Sequence, residues 1–159
     1  MDGWSEFNVA MMGATAALAG LLIVAASVNI GEIIKSPAIS SRLAAGLAGL
    51  VLAIVASGIG LVPGLPLAAY ATATVLLALV AALISVMATR RIYQNRDPAN
   101  RAKVVKSVVG FITPGCYLVG GILVVAGLPI GLMWFAAGAL AAIVAGILIS
   151  WVALVEVLR

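Results

Sequence analysis

The positions of the nine lysine and arginine residues constrain the fold of this chain more than any other feature. The chain has five long apolar stretches, and each basic residue lies in or beside the first or third connection between them, or at the C-terminus: Lys35, Arg42, Arg90, Arg91, Arg96, Arg101, Lys103, Lys106 and Arg159. The second and fourth connections, around Pro63–Pro66 and Gly127–Pro129, carry no charge. Basic residues accumulate on the cytoplasmic side of membrane proteins. The alternation therefore predicts five crossings, with the N-terminus outside and the C-terminus in the cytoplasm.

Composition agrees with this interpretation, because 65% of the residues are hydrophobic and only 9% are charged. A soluble domain carries about 25% charged residues, and a helix needs roughly 20 apolar residues to cross a bilayer. The sequence therefore predicts an all-α integral membrane bundle of five transmembrane helices, surrounded by membrane lipids and forming one domain over residues 1–159. The expected helices are 7–34, 41–61, 67–89, 104–126 and 130–158, with a cytoplasmic basic loop at 90–103.

The uncharged connections predict tight turns. Pro63, Gly64 and Pro66 in one, and Gly127 and Pro129 in the other, are residues that end helices and form turns. Connections this short indicate two antiparallel helical hairpins. An offset of 63 residues aligns the two turns. This similarity is compatible with a duplication and also with chance in a sequence drawn from few residue types.

The first helix has polar side chains on one face. Asn8, Thr15, Leu22 and Asn29 follow at heptad spacing, and Glu32 lies on the same face. Polar side chains within a bilayer usually point toward protein or water. The face is therefore either the lining of a pore or a seam along which the helix packs on its neighbours. A threonine can bond to its own helix backbone, which favours the packing seam.

The carboxylates do not indicate an ion-carrying site. Glu32 lies three residues before Lys35, and Glu156 three residues before Arg159. Both pairs are therefore expected to form ion pairs at the inner interface. The predicted second, third and fourth helices contain no Asp or Glu, so a rotor-type proteolipid, which needs a carboxylate in mid-membrane, is excluded.

Small residues at four-residue spacing predict close helix packing. The longest such stripe is in the last helix, and the shorter ones lie in the first two: Gly138, Ala142, Gly146 and Ser150; Gly13 with Ala17, Ala16 with Gly20, and Ala45 with Gly49. This number of smooth faces predicts a homo- or hetero-oligomer with other membrane proteins. Pro114 predicts a kink in the fourth helix, where it leaves the carbonyl of Gly110 without its helical donor.

Residue types that carry catalysis or bind cofactors are scarce. The chain has no histidine and one cysteine, Cys116, and it contains no phosphate-binding loop and no zinc motif. We therefore expect no enzyme activity, no cofactor and no metal site. The basic residues are spread over three membrane-flanking segments with no aromatic platform among them, so nucleic-acid binding is not expected. The sequence favours a non-catalytic subunit, scaffold or modulator of a larger membrane assembly; the alternative is an oligomeric channel or small-solute transporter lined by the first helix.

A resemblance supports the membrane assignment. Trp4, Phe7 and Val9, the segment 13–22, the segment 27–30 and the segment Gly60–Gly64 together resemble a group of small multi-pass bacterial membrane proteins of actinobacterial type. The resemblance covers about the first 65 residues. It implies a bacterial cytoplasmic (inner) membrane protein and assigns no functional residues.

Overall fold

The computed structural model describes residues 3–94 and 103–157. All regular structure in these residues is helical, in six elements: α1 (Ser5–Val28), α2 (Ile30–Lys35), α3 (Pro37–Gly60), α4 (Leu67–Gln94), α5 (Lys103–Val125) and α6 (Gly131–Val157). Five of these helices are long and apolar enough to cross a membrane, and only the short α2 is not. The prediction of an all-α bundle with five membrane-length helices is therefore confirmed. The orientation of the termini stays a prediction.

Helices α3 to α6 form a closed four-helix arrangement with α1 on its outside. α3 packs against α4 and α6, and α5 also packs against α4 and α6. α1 lies against α3 and α6. Fully buried small residues such as Ala53, Ala71 and Ala78 allow the helices to approach closely, and Leu50 fills the space between them.

The outer surface is apolar. Leu21, Leu83, Ile122 and Val144 each expose more than half of their surface. Contiguous apolar surface on this scale is unfavourable in water and is stable against acyl chains. The protein is therefore a multi-pass membrane protein.

The first predicted helix, 7–34, is interrupted, so the prediction of one continuous helix was wrong. Asn29 leaves the helical conformation at φ −108° and ψ 19°, and its backbone N–H donates to the carbonyl of Ser27. Its side-chain Nδ2 donates to the carbonyl of Ala25 at 3.0 Å, the acceptor that this N–H would have used in a regular helix. A local side-chain bond thus replaces a helical one, and the chain restarts as α2.

Two other boundaries differ from the prediction. α3 begins at Pro37 and not at residue 41, because proline is well suited to the first helical position. Ser40 Oγ donates to the carbonyl of Ile33 at 2.7 Å and ties this start to α2. α4 continues to Gln94, into the segment predicted as loop 90–103. Most of that loop, residues 95–102, lies outside the described residues.

The two hairpin turns are built differently although both use a glycine at positive φ. Gly64, at φ 71°, follows Pro63 in a turn closed by Leu65 N–H to the Val62 carbonyl, the arrangement of a type II turn. Gly127, at φ 81°, ends α5 in a Schellman motif. Its N–H donates to the carbonyl of Val124, and the N–H of Leu128 donates to the carbonyl of Leu123. The turns that the 63-residue offset aligns therefore share a glycine conformation but not a hydrogen-bond pattern.

Candidate functional site

The polar face predicted on the first helix is turned toward α3 and α6. Thr15 is fully buried, and Asn8 and Leu22 are nearly so. The Thr15 hydroxyl donates to the carbonyl of Met11 on its own helix at 2.6 Å, so it needs no partner from water or a solute. The three deeper positions of the face are therefore packed within the protomer.

The C-terminal end of the same face lies nearer the surface. Asn29 is half-buried and bonded to its own helix, as described above, and Glu32 is exposed. Lys35 Nζ donates to Glu32 Oε1 at 2.6 Å, which confirms the predicted ion pair. The second predicted pair, Glu156 with Arg159, lies outside the described side chains.

The small-residue stripe on α6 is occupied inside the protomer. A β-carbon at Gly138 would lie 2.8 Å from the ring of Tyr117, and one at Gly146 would lie 3.2 Å from Leu50. Ala142 is fully buried. Ser150 donates its hydroxyl to the carbonyl of Gly146 on its own helix at 2.7 Å. This stripe therefore holds α6 against α3 and α5 and offers no surface to a partner.

The close approach of α5 and α6 at Gly120 and Gly131 was not predicted from the sequence. A β-carbon on Gly120 of α5 would lie 2.7 Å from the carbonyl oxygen of Gly131, and one on Gly131 would collide with the carbonyl oxygen of Gly120. The Phe135 ring packs on the same spot, 2.7 Å from the position that a β-carbon on Gly120 would take. The two glycines are eleven residues apart across a turn, and no regular spacing connects them. Only the crossing of α5 and α6 brings them together.

The carbonyl of Gly110, which Pro114 leaves without a helical donor, accepts a hydrogen bond from a neighbouring helix. Ser85 Oγ of α4 lies 2.8 Å from the carbonyl oxygen of Gly110 and 3.0 Å from that of Ala81 on its own helix. α5 is helical on both sides of Pro114, and the predicted kink of its axis stays a prediction. Next to the proline, the Thr113 hydroxyl is buried without a hydrogen-bond partner among the described residues.

A cavity of about 160 Å³ lies between α3, α4, α5 and α6. It is near the end of the bundle where α4 finishes and α5 starts, the end that carries the basic residues. Arg42 lines it and is only 9% exposed. From the sequence, Arg42 was identified only as a basic residue beside the first connection. Its position inside the predicted second helix is the sequence feature that could have indicated its burial.

A second group of polar side chains lies toward the opposite end of the bundle. Tyr70 meets Phe135 edge-to-face with ring centroids 5.3 Å apart, and Tyr117 stacks on Phe135 at 5.6 Å. Together with Asn8 and Ser57 these rings line a space of about 10 Å³. A space this small holds about one water molecule, so the group is a packed aromatic cluster with no room for a substrate.

Within residues 3–94 and 103–157, no three Cys, Asp or Glu side chains converge in a way that could hold a metal ion. Comparisons with protein-family models, with curated proteins and with solved structures found no match to this chain.

Proposed function

We propose that this protein is a non-catalytic subunit of a larger assembly in the bacterial cytoplasmic membrane, and that it docks on its partner through the outer face of α1. The observation that carries the proposal is the contrast between this face and the rest of the lipid-exposed surface. Every exposed residue of α1 from position 10 to position 20 is alanine or glycine. They are Ala10, Gly13, Ala14, Ala16, Ala17 and Gly20, here called the smooth face.

The smooth face is not needed for packing inside the protomer. A β-carbon at Gly13 or Gly20 would have nothing within 4 Å. In α1 only 17% of the residues in the apolar segment are buried, against 33–50% in the other four long helices. Most exposed positions of α4, α5 and α6 instead carry bulky side chains such as Leu83, Ile122 and Val144.

Small residues support helix docking for a physical reason. Helix association in a bilayer gains little from the hydrophobic effect, because acyl chains are as apolar as leucine. It depends on close van der Waals contact and interhelical bonds, and small residues allow two backbones to approach. The stripe on α6 packs against Tyr117 and Leu50, and Gly49 of the stripe on α3 faces Thr113. The smooth face is therefore the stripe left for a partner helix.

The alternative from the sequence, a channel or small-solute transporter lined by the first helix, has weaker support. Thr15 and Leu22 are buried against the neighbouring helices. A pore along this face would require α1 to separate from α3 and α6. Solute flux through liposomes of the pure protein, reduced by Thr15→Leu, would favour the channel over the subunit.

Site-specific photo-crosslinking in native membranes tests the docking proposal. A photoreactive residue at position 17, on the smooth face, should form one defined protein adduct. The same residue at position 83, on the lipid-exposed face of α4, serves as the matched control and should react with lipid. Gly13→Leu combined with Gly20→Leu should abolish the adduct, whereas Ala137→Leu, at an exposed alanine of α6, should not. Equal protein adducts from both positions, or none from position 17, would contradict the proposal.

A further inference from the structure

The cavity at the basic end of the bundle has no role in docking through α1. Its walls come from all four helices of the closed arrangement, and α1 does not contribute to them. Its volume of about 160 Å³ is comparable with that of an engineered cavity of roughly 150 Å³ that binds benzene. A space of this size in a helix bundle can accommodate a small apolar group.

The cavity has one charged residue in a mainly apolar wall. Arg42 lies five residues after the start of α3, and Ala45 is three residues farther along, about 4.5 Å deeper at 1.5 Å per residue. Ile92 and Val105 line the cavity nearer the end of the bundle, and Ser85 lines its deeper part. The charge of Arg42 is therefore flanked mainly by small or apolar side chains.

Two features at this end favour an anion. The Arg42 guanidinium is always charged and presents five N–H donors in a planar fork, so an anion can bind it together with the groups that it already contacts. No carboxylate is among the described residues that line the cavity.

We propose that this cavity binds an anionic amphiphile, with its carboxylate or phosphate at Arg42 and its apolar chain between Ala45, Ala88 and Ile149. The volume of about 160 Å³ accommodates roughly six to eight heavy atoms of the chain by comparison with the benzene-sized cavity. The source of the ligand is either a free medium-chain carboxylate or an anionic membrane lipid. Both present the same chemistry to the site, an anion followed by hydrocarbon.

The free-carboxylate arm uses the full chain, purified in neutral detergent, with octanoate as the probe. Octanoate should raise the unfolding temperature, whereas 1-octanol at the same concentration should not, because it lacks the charge. Arg42→Gln should weaken octanoate binding at least about 30-fold, the usual result of removing one partner of a buried charge pair. Arg91→Gln, an exposed arginine at the same end of the bundle, should bind as the wild type does.

The lipid arm uses nanodiscs of phosphatidylcholine with added phosphatidylglycerol. Native mass spectrometry should retain phosphatidylglycerol on the wild-type chain and on Arg91→Gln, and not on Arg42→Gln. A response in either arm supports the proposal and identifies the source. Responses in neither arm, or equal stabilisation by octanoate and 1-octanol, would overturn it.

A second variant keeps the test decisive if Arg42→Gln does not fold. Ala88→Leu leaves the arginine in place and fills the space below it, since Ala88 is buried in the cavity wall. It should lose the octanoate shift and the retained phosphatidylglycerol while keeping its helical circular dichroism. If a folded Ala88→Leu binds as tightly as the wild type, the ligand does not occupy this cavity and the proposal is wrong.

Discussion

Ser85 donates its hydroxyl, at 2.8 Å, to the carbonyl oxygen of Gly110, the acceptor that Pro114 leaves without a helical partner. The two residues belong to adjacent antiparallel helices, so this bond joins α4 to α5 near the deep end of the cavity. An unsatisfied carbonyl in a membrane interior costs several kcal/mol. Ser85 removes this cost with a single side chain and links two helices.

Replacing Ser85 should reveal the strength of this link. We expect Ser85→Ala to lower the free energy of unfolding by about 0.6 to 1.7 kcal/mol, from the average to the maximum measured for interhelical hydrogen bonds in one membrane protein. Ser150→Ala is the matched control, because the Ser150 hydroxyl bonds only to its own helix, and it should change stability less. Reversible unfolding in mixed micelles of a denaturing detergent measures both variants.

A double-mutant cycle with Pro114→Ala tests whether Ser85 stabilises the protein by replacing the helical donor that Pro114 lacks. Alanine at position 114 restores an N–H that can donate to the Gly110 carbonyl, so in that background Ser85→Ala should cost clearly less than it does alone. Equal costs in the two backgrounds would mean that the serine does not compensate for the proline.

Gly120 should tolerate no side chain. A methyl group there meets the backbone oxygen of Gly131 at 2.7 Å, and a backbone cannot move aside as the end of a flexible side chain can. Gly120→Ala should therefore destabilise the protein by about 1 to 3 kcal/mol, the usual cost of overpacking. Gly115→Ala, in the same helix with nothing within 4 Å of the new carbon, should be neutral or stabilising. Similar costs for the two variants would contradict the close crossing of α5 and α6.

Thr113→Val should be neutral or stabilising. The Thr113 hydroxyl is buried without a partner among the described residues, and valine has nearly the same shape. Removing an unsatisfied buried group avoids a desolvation cost of about 1 to 3 kcal/mol. A loss of stability in the same micellar unfolding assay would contradict this expectation and would mean that the hydroxyl is hydrogen-bonded in the folded protein.

The topology prediction is checked by reporter fusions. A fusion after Gln94, at the end of α4, should report the cytoplasm, and fusions at Gly64 and Leu128 should report the outside, because the basic connections belong inside. An external signal after Gln94 would reverse the assigned orientation and would place Arg42 and its cavity at the outer surface.

The sequence predicted the helices well because their apolar lengths are set by the bilayer. It predicted the free carbonyl of Gly110, which follows from the geometry of proline alone. It did not predict Ser85 as the partner, because that residue is 25 positions away on another helix. The polar periodicity of the first helix indicated its buried side, but no pattern in the sequence pairs a position of α4 with a position of α5.

The same limitation applies to the glycines and to Arg42. The stripe on α6 and the smooth face of α1 have similar spacing, yet one packs against Tyr117 and the other has no neighbour within the protomer. In the sequence, Arg42 contributed only to the prediction of membrane orientation. Its burial in a cavity could not be predicted, because it depends on how four helices pack together. The helix break at Asn29 depends on a single hydrogen bond from the Asn29 side chain to the carbonyl of Ala25. The heptad pattern does not predict such a bond.

Native mass spectrometry of the complex released by mild detergent tests the central claim, that this bundle is a subunit docked through α1. The wild-type chain should appear in a species heavier than its own 16.0 kDa. The Gly13→Leu and Gly20→Leu double variant should appear as the 16.0 kDa chain alone with unchanged helical content, and Ala137→Leu should remain assembled. A wild-type protein found only as the single chain, or a double variant that stays assembled, would contradict the account.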